Sequence, residues 1–131
     1  LVAKPLFGSQ GKGLQRLGLA DGVHQPLTAL DAGQAYLQRL IDPVSTPGFD
    51  WRVLVVGGRA VSAMRRVSDH WVHNVAQGAR CEAAVLTAEL SSLAERAAQA
   101  LAMDYAGVDL MPSAEGAPIQ VIEVNGGQYM P

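Results

Sequence analysis

The sequence predicts an α+β fold, and three observations carry that prediction. Residues 51–56 and 59–67 are strand-like runs joined by Gly57-Gly58, a link that permits the positive φ angles of a tight hairpin. Residues 106–110 and 121–126 are a second pair of apolar runs, around a turn region at 113–118 rich in small residues. Between them, 88–103 has helical period: Thr87 is a suitable N-cap, and Leu90, Leu93, Ala97 and Leu101 recur on one stripe.

The remaining elements follow in chain order. Residues 1–7 read as a strand entering the loop Gly8, Ser9, Gln10, Gly11, Lys12, Gly13, with another short strand at 14–19. Stretch 20–35 holds Gly, Pro, Asp and Gln, leaving at most a helical turn at 27–31. A strand is expected over 36–41, a connector with two prolines over 42–48, and mostly irregular chain over 68–84. These elements divide into two lobes, 1–41 and 42–131.

At 131 residues and 49% hydrophobic content, the chain can bury one core of ordinary domain size. A net charge of −2 gives no basic footprint for nucleic acid. Apolar runs fall far short of the ~20 residues that span a bilayer, so a soluble protein is expected. Cys81 has no second cysteine to pair with, a usage that fits a reducing cytosol. The start, Leu1-Val2-Ala3-Lys4-Pro5, looks like mid-strand rather than a signal peptide, so a piece of a larger protein is expected.

Chemistry concentrates in the second hairpin. A turn centred near Gly116 sets Asp109 opposite Glu123, and period-2 alternation puts Asn125 on the Glu123 face. Like charges facing across a ladder destabilise it, whereas a divalent cation reverses the sign, because Mg²⁺ takes hard oxygen ligands. A solvated face carrying unrelated polar side chains is the other reading. The glycine loop is no P-loop, since Leu14 follows Gly13, and it lacks the dinucleotide spacing. Its backbone and Lys12 could still approach polyphosphate, or form a flexible hairpin tip. Lys4, in an apolar strand four residues earlier, calls for water or an anion. His24, His70 and His73 lack metal spacing and read as surface or loop residues; Trp51 and Trp71 read as packing.

Four segments now stand in order: Leu1 to Gly13, Asp50-Trp51-Arg52-Val53-Leu54-Val55-Val56-Gly57, Ala106-Gly107-Val108-Asp109, and Ile122-Glu123-Val124-Asn125. Together they resemble the ATP-grasp superfamily, specifically the RimK-type ligases that add glutamate to an acceptor carboxyl. The wording Asp104-Tyr105-Ala106-Gly107-Val108-Asp109-Leu110 is similar to the branch associated with tetrahydromethanopterin biosynthesis.

The resemblance implies part of a small nucleotide-covering lobe, then a larger antiparallel-sheet lobe with a packed helix. It implies that Lys4 contacts nucleotide phosphates and that Gly8, Ser9, Gln10, Gly11, Lys12 and Gly13 fold over them. Gln38, Arg39, Leu40 and Ile41 match the hinge that holds adenine. Asp50 and Arg52 match the polar pair opening the larger lobe, and Asp109, Glu123 and Asn125 match the magnesium ligands. Arg66 would clamp a carboxylate or acyl phosphate, with Asn74 beside it; surface and loop roles stay open for both, and a one-residue register change would exchange Arg66 with Arg65.

The implied cofactors are ATP and Mg²⁺, with Mn²⁺ as an alternative. The implied partners are a small-molecule or peptide carboxylate acceptor and an amino acid, L-glutamate, in the cytoplasm, without nucleic acid or membrane. Homo-oligomerisation stays open. The competing functional class is a nucleotide-binding fragment without turnover.

Overall fold

The computed structural model describes residues 1–20, 23, 24, 26–114 and 117–127. The chain falls into two compact units, Leu1–Ile41 and Asp42–Pro131. The expected turn centre, Gly116, and the side chain of His24 lie outside what is described. Among the described residues no helix is long and apolar enough to cross a membrane.

The first unit is built on a three-stranded antiparallel sheet. Its middle strand, β1 (Val2–Pro5), lies between β2 (Gln15–Arg16) and β5 (Ala35–Gln38); a separate hairpin pairs β3 (Leu19–Ala20) with β4 (Val23–His24). Val2, Ala3 and Ala29 form its buried part. The expected single strand at 14–19 is two short ones, and β5 ends at Gln38 rather than residue 41, because Gln38 pairs with Val2, the first residue of β1.

The helical turn expected at 27–31 is replaced by side-chain anchoring. Gln15 donates to the Pro26 carbonyl at 2.8 Å and accepts from Thr28 N at 2.8 Å, holding that stretch extended. Asp31 and Gln34 then exchange backbone bonds of 2.7 and 2.8 Å, closing a tight turn.

The second unit is a five-stranded antiparallel sheet in the order β10-β9-β6-β7-β8, with one helix on it. The strands are β6 (Gly48–Val56), β7 (Arg59–Ser68), β8 (Arg80–Ala83), β9 (Tyr105–Met111) and β10 (Gln120–Asn125); the helix is α1 (Ala88–Ala100). Gly57 and Gly58 make the β6–β7 link with φ of 57° and 76°, as expected for a two-residue turn. The stretch at 68–84 is more ordered than the sequence suggests. It contains a single 3₁₀ turn, Val75–Gln77, and β8, where the Arg65–Glu82 pair (2.6 Å) spans the β7–β8 ladder.

Thr87 caps α1 as expected, its Oγ1 accepting from Leu90 N at 3.2 Å. The buried stripe is rotated from the expected one: Leu90, Ala94 and Ala98 lie against the sheet, while Leu101 is 59% exposed. The helix stops at Ala100 rather than 103 because Ala102 turns left-handed (φ 52°). Met103 N then bonds Ala98 O and Ala102 N bonds Gln99 O, both at 3.0 Å, a Schellman closure.

Alternation sorts the sheet into two faces. Val53, Val55, Ala106, Val108 and Leu110 point to α1 and form the core with its buried stripe; Trp51 packs against that core. Asp50, Arg52, Arg66 and Asp109 therefore occupy the other face.

Candidate functional site

Three adjacent central strands bring these four charges together. Asp50 faces Arg66 across β6–β7, and Arg52 faces Asp109 across β6–β9. Arg66 grips Asp50 through Nε to Oδ1 at 2.8 Å and through Nη2 to Oδ2. The same Nη2 lies 3.0 Å from Asp109 Oδ2. Arg52 completes the chain, donating Nε to Asp109 Oδ1 at 2.7 Å and Nη2 to Oδ2 at 2.8 Å. All four residues are buried, Arg66 and Asp109 to 3% exposure.

Two carboxylates and two guanidiniums leave this cluster formally neutral, which is what makes its burial tolerable. Loss of water pushes Asp50 up to about 6, despite its bonds to Arg66. Arg66 loses water too, but Asp50 and Asp109 more than offset that and hold its guanidinium above its ordinary range.

His73 joins the cluster at the far end. It is 6% exposed, with Nδ1 3.9 Å from Asp50 Oδ2, so the surface reading of this histidine is corrected. Gly48 makes the room: a Cβ there would lie 3.0 Å from His73 Nε2. Burial, then the Arg66 charge, lowers the pKa of His73 and keeps the ring neutral at pH 7. Nothing in a lone histidine's sequence context signals this; the signal lies in Gly48, 25 residues away.

The second hairpin has the expected pairing. Glu123 stands opposite Asp109 and Asn125 opposite Gly107, so all three candidate ligands share the charged face. The register reaches that point through a bulge: Val121 pairs with Leu110, and Ile122 is the extra residue before Glu123. Glu123 is exposed and Asn125 half-buried. Among the described residues no three of His, Cys, Asp and Glu form a metal-type cluster; the further oxygen donor that β10 puts on this face is the Asn125 amide.

These residues fit a hard divalent cation on two counts. Asn125 Nδ2 is a buried polar atom with no hydrogen-bond partner, so this amide has unspent bonding capacity inside the site. Its oxygen and nitrogen are interchangeable by a flip. Glu123 adds one negative charge to an otherwise neutral cluster. Asp109 is more constrained: with one donor on Oδ1 and two on Oδ2, its remaining acceptor capacity is at Oδ1.

The other expected residues are placed as follows. Arg66, not Arg65, faces the acidic face; Arg65 points to the helix side, paired with Glu82 and 5.0 Å over the Phe49 ring. Arg66 is engaged by two protein carboxylates through its Nε and Nη2. Asp50 and Arg52 likewise turn to protein partners. Asn74 precedes the 3₁₀ turn with no side-chain cap bond, while its carbonyl accepts Gln77 N at 2.8 Å.

In the first unit, Lys4 is half-buried on β1, and no ion pair among the described residues engages it. Loop residues Gly8, Ser9, Gln10, Lys12 and Gly13 are exposed and Gly11 partly so. Gln10, Gly11 and Gly13 take φ of 57°, 70° and 70°, and Gly13 cannot be replaced freely because a Cβ would meet Pro5 Cγ at 2.9 Å. Gln38 ends β5; Arg39 is exposed, with Leu40 and Ile41 half-buried. By sequence this unit carries Lys4, Lys12, Arg16 and Arg39 against Asp21 and Asp31, whereas the second has an acidic excess.

Comparison with known proteins bears on this site. A family model described as RimK-like ATP-grasp domain matches residues 1–130. A tetrahydromethanopterin:alpha-L-glutamate ligase of Methanococcus maripaludis is 40% identical over 130 residues, covering 95% of this chain and 44% of that protein. The ligase of the same name from Methanocaldococcus jannaschii is 38% identical over the same shares. A probable alpha-L-glutamate ligase of Rhodopirellula baltica is 35% identical, with 31% of its length covered. The chain thus spans less than half the length of these relatives. Among solved structures, the ATP-grasp ligase PsnB complexed with minimal precursor superposes with a TM-score of 0.63 at 23% identity, over 95% of this chain and 37% of PsnB, a likeness of fold. On these matches, and with the α+β architecture and the Asp109–Glu123 pairing in place, the chain belongs to the RimK-like ATP-grasp family.

Proposed function

We propose that this chain is the nucleotide- and metal-binding part of an ATP-dependent carboxylate–amine ligase that adds L-glutamate to an acceptor carboxyl. The observation that carries the reading is the hairpin register: Glu123 opposite Asp109, with Asn125 on the same face, in a RimK-like ATP-grasp domain. Relatives named as glutamate ligases support the choice of amino acid, and two of them name a pterin acceptor.

In this reading Asp109, Glu123 and Asn125 hold Mg²⁺, or Mn²⁺ in its place. The ion supplies neutralisation of phosphoryl charge when bound. Lys4 and the backbone of Gly8 to Gly13 offer donors to nucleotide phosphates, and Gln38 to Ile41 line the adenine. The acceptor carboxylate takes the γ-phosphoryl group of ATP, releasing ADP and leaving an acyl phosphate. The glutamate amine then displaces phosphate to form the amide, losing a proton. The buried Arg52–Asp109–Arg66 chain keeps the metal-facing carboxylate fixed, so that little reorganisation accompanies the transfer.

The test is ADP release and amide mass with ATP, Mg²⁺, L-glutamate and a panel of pterin, peptide and small carboxylate acceptors, using the protein with any chain that flanks residues 1–131. Expected is a glutamate-dependent mass gain on one acceptor class. ATP binding without amide formation on any of them supports a nucleotide-binding domain without turnover instead.

A further inference from the structure

We propose that Asp50 and His73 are positioning residues that act on Asp109 through Arg66, a role distinct from contact with the nucleotide. This rests on the ligase reading above, specifically on Asp109 as a metal ligand. The geometry is a chain with one direction of support. His73 sits in the space left by Gly48, 3.9 Å from Asp50; Asp50 holds Arg66 by both carboxylate oxygens; Arg66 Nη2 reaches Asp109 Oδ2 at 3.0 Å. From the opposite side Arg52 holds both Asp109 oxygens.

Arg66 therefore divides its donors between two carboxylates, and Nη2 serves both. A guanidinium shared in this way orients Asp109 without claiming its whole charge. Remove the Asp50 charge and Arg66 has only Asp109 left to neutralise it. The donor strength of Asp109 toward a cation then falls, and so does the fixation of its carboxylate plane. Partners that orient a metal ligand typically alter metal affinity by ten- to a hundredfold when removed. Asp50 is buried with both oxygens bonded to Arg66, which is poor geometry for receiving a ribose or phosphate group. His73 contributes bulk and a neutral ring that keep water off the Asp50–Arg66 pair.

The experiment titrates Mn²⁺ by electron paramagnetic resonance, and separately titrates ADP without metal by calorimetry. It uses the protein with any chain flanking residues 1–131, as wild type, Asp50→Asn, Asp50→Glu and His73→Gln. Asp50→Asn is expected to weaken Mn²⁺ about tenfold while metal-free ADP affinity stays within twofold. His73→Gln should weaken Mn²⁺ by a smaller factor, and Asp50→Glu should recover most of the loss. A variant that fails to fold, judged by circular dichroism, is set aside, and the remaining variants decide.

If variants that fold retain wild-type Mn²⁺ affinity, the positioning role is overturned while the ligase reading stands. If Asp50→Asn weakens metal-free ADP and leaves Mn²⁺ unchanged, Asp50 is a nucleotide contact and the proposal is wrong. Wild-type protein that takes up neither Mn²⁺ nor ADP overturns both readings together.

Discussion

Replacing Asp109 by Asn separates the two acidic hairpin residues by what they do for the fold. Asp109 is 3% exposed and receives three N–H contacts from two guanidiniums. With Asn there, Arg52 and Arg66 share only the Asp50 charge, and a buried cluster that was neutral becomes cationic. Breaking a buried ion pair from one side costs about 3–5 kcal/mol. For a chain of 131 residues, 1 kcal/mol moves the melting temperature by about 3–4 °C, so a fall of roughly 10–20 °C is expected. Glu123→Gln, on an exposed side chain, should cost no more than about 0.5 kcal/mol. Circular-dichroism melts at pH 7 of both variants, with Asp109→Asn/Arg52→Met as a charge-restoring control, make the comparison. The control should recover several degrees over Asp109→Asn alone. Melts of Asp109→Asn within 2 °C of wild type, as an order-of-magnitude margin, would refute the premise that these guanidiniums are desolvated.

Two further outcomes are expected. Asp50 has a folded-state pKa of about 6 against 3.8. The folded protein therefore binds more protons than the unfolded chain between these values, and stability from this group is lost as pH rises through that window. Denaturant melts should show wild type losing on the order of 3 kcal/mol relative to Asp50→Asn from below pH 4 to pH 7; a difference flat with pH would contradict the desolvation of Asp50. Thr87→Ala removes the α1 cap and should cost about 1 kcal/mol, with Thr87→Ser close to wild type in the same melts.

Local chemistry in the sequence reaches as far as contacts between sequence neighbours. The Gly57–Gly58 turn, the Thr87 cap and the Asp109–Glu123 pairing each follow from residues adjacent in sequence or joined by one hairpin. What the sequence hides is set by packing or by distant partners. β8 is masked because Arg80 and Glu82 look like loop residues until Arg65 is placed opposite. The end of α1 is masked because its left-handed residue is Ala102 rather than glycine. The charged residues stand out one by one in the sequence, whereas their engagement with one another does not, since Asp50, Arg66 and Asp109 meet only after three strands align. That Arg66 spends its Nε and Nη2 on two protein carboxylates is likewise a tertiary fact.

The bulge at Ile122 bears on how this hairpin tolerates changes in chain length. Deleting that one residue would leave Val121 opposite Leu110 and Glu123 opposite Asp109, restoring an unbroken ladder with the same partners. Position 122 is therefore a spacer whose presence adjusts twist and the aim of the carboxylate, without deciding which residue it meets. Length variation in β10 is a route by which related hairpins can retune a site while every residue that lines it keeps its identity.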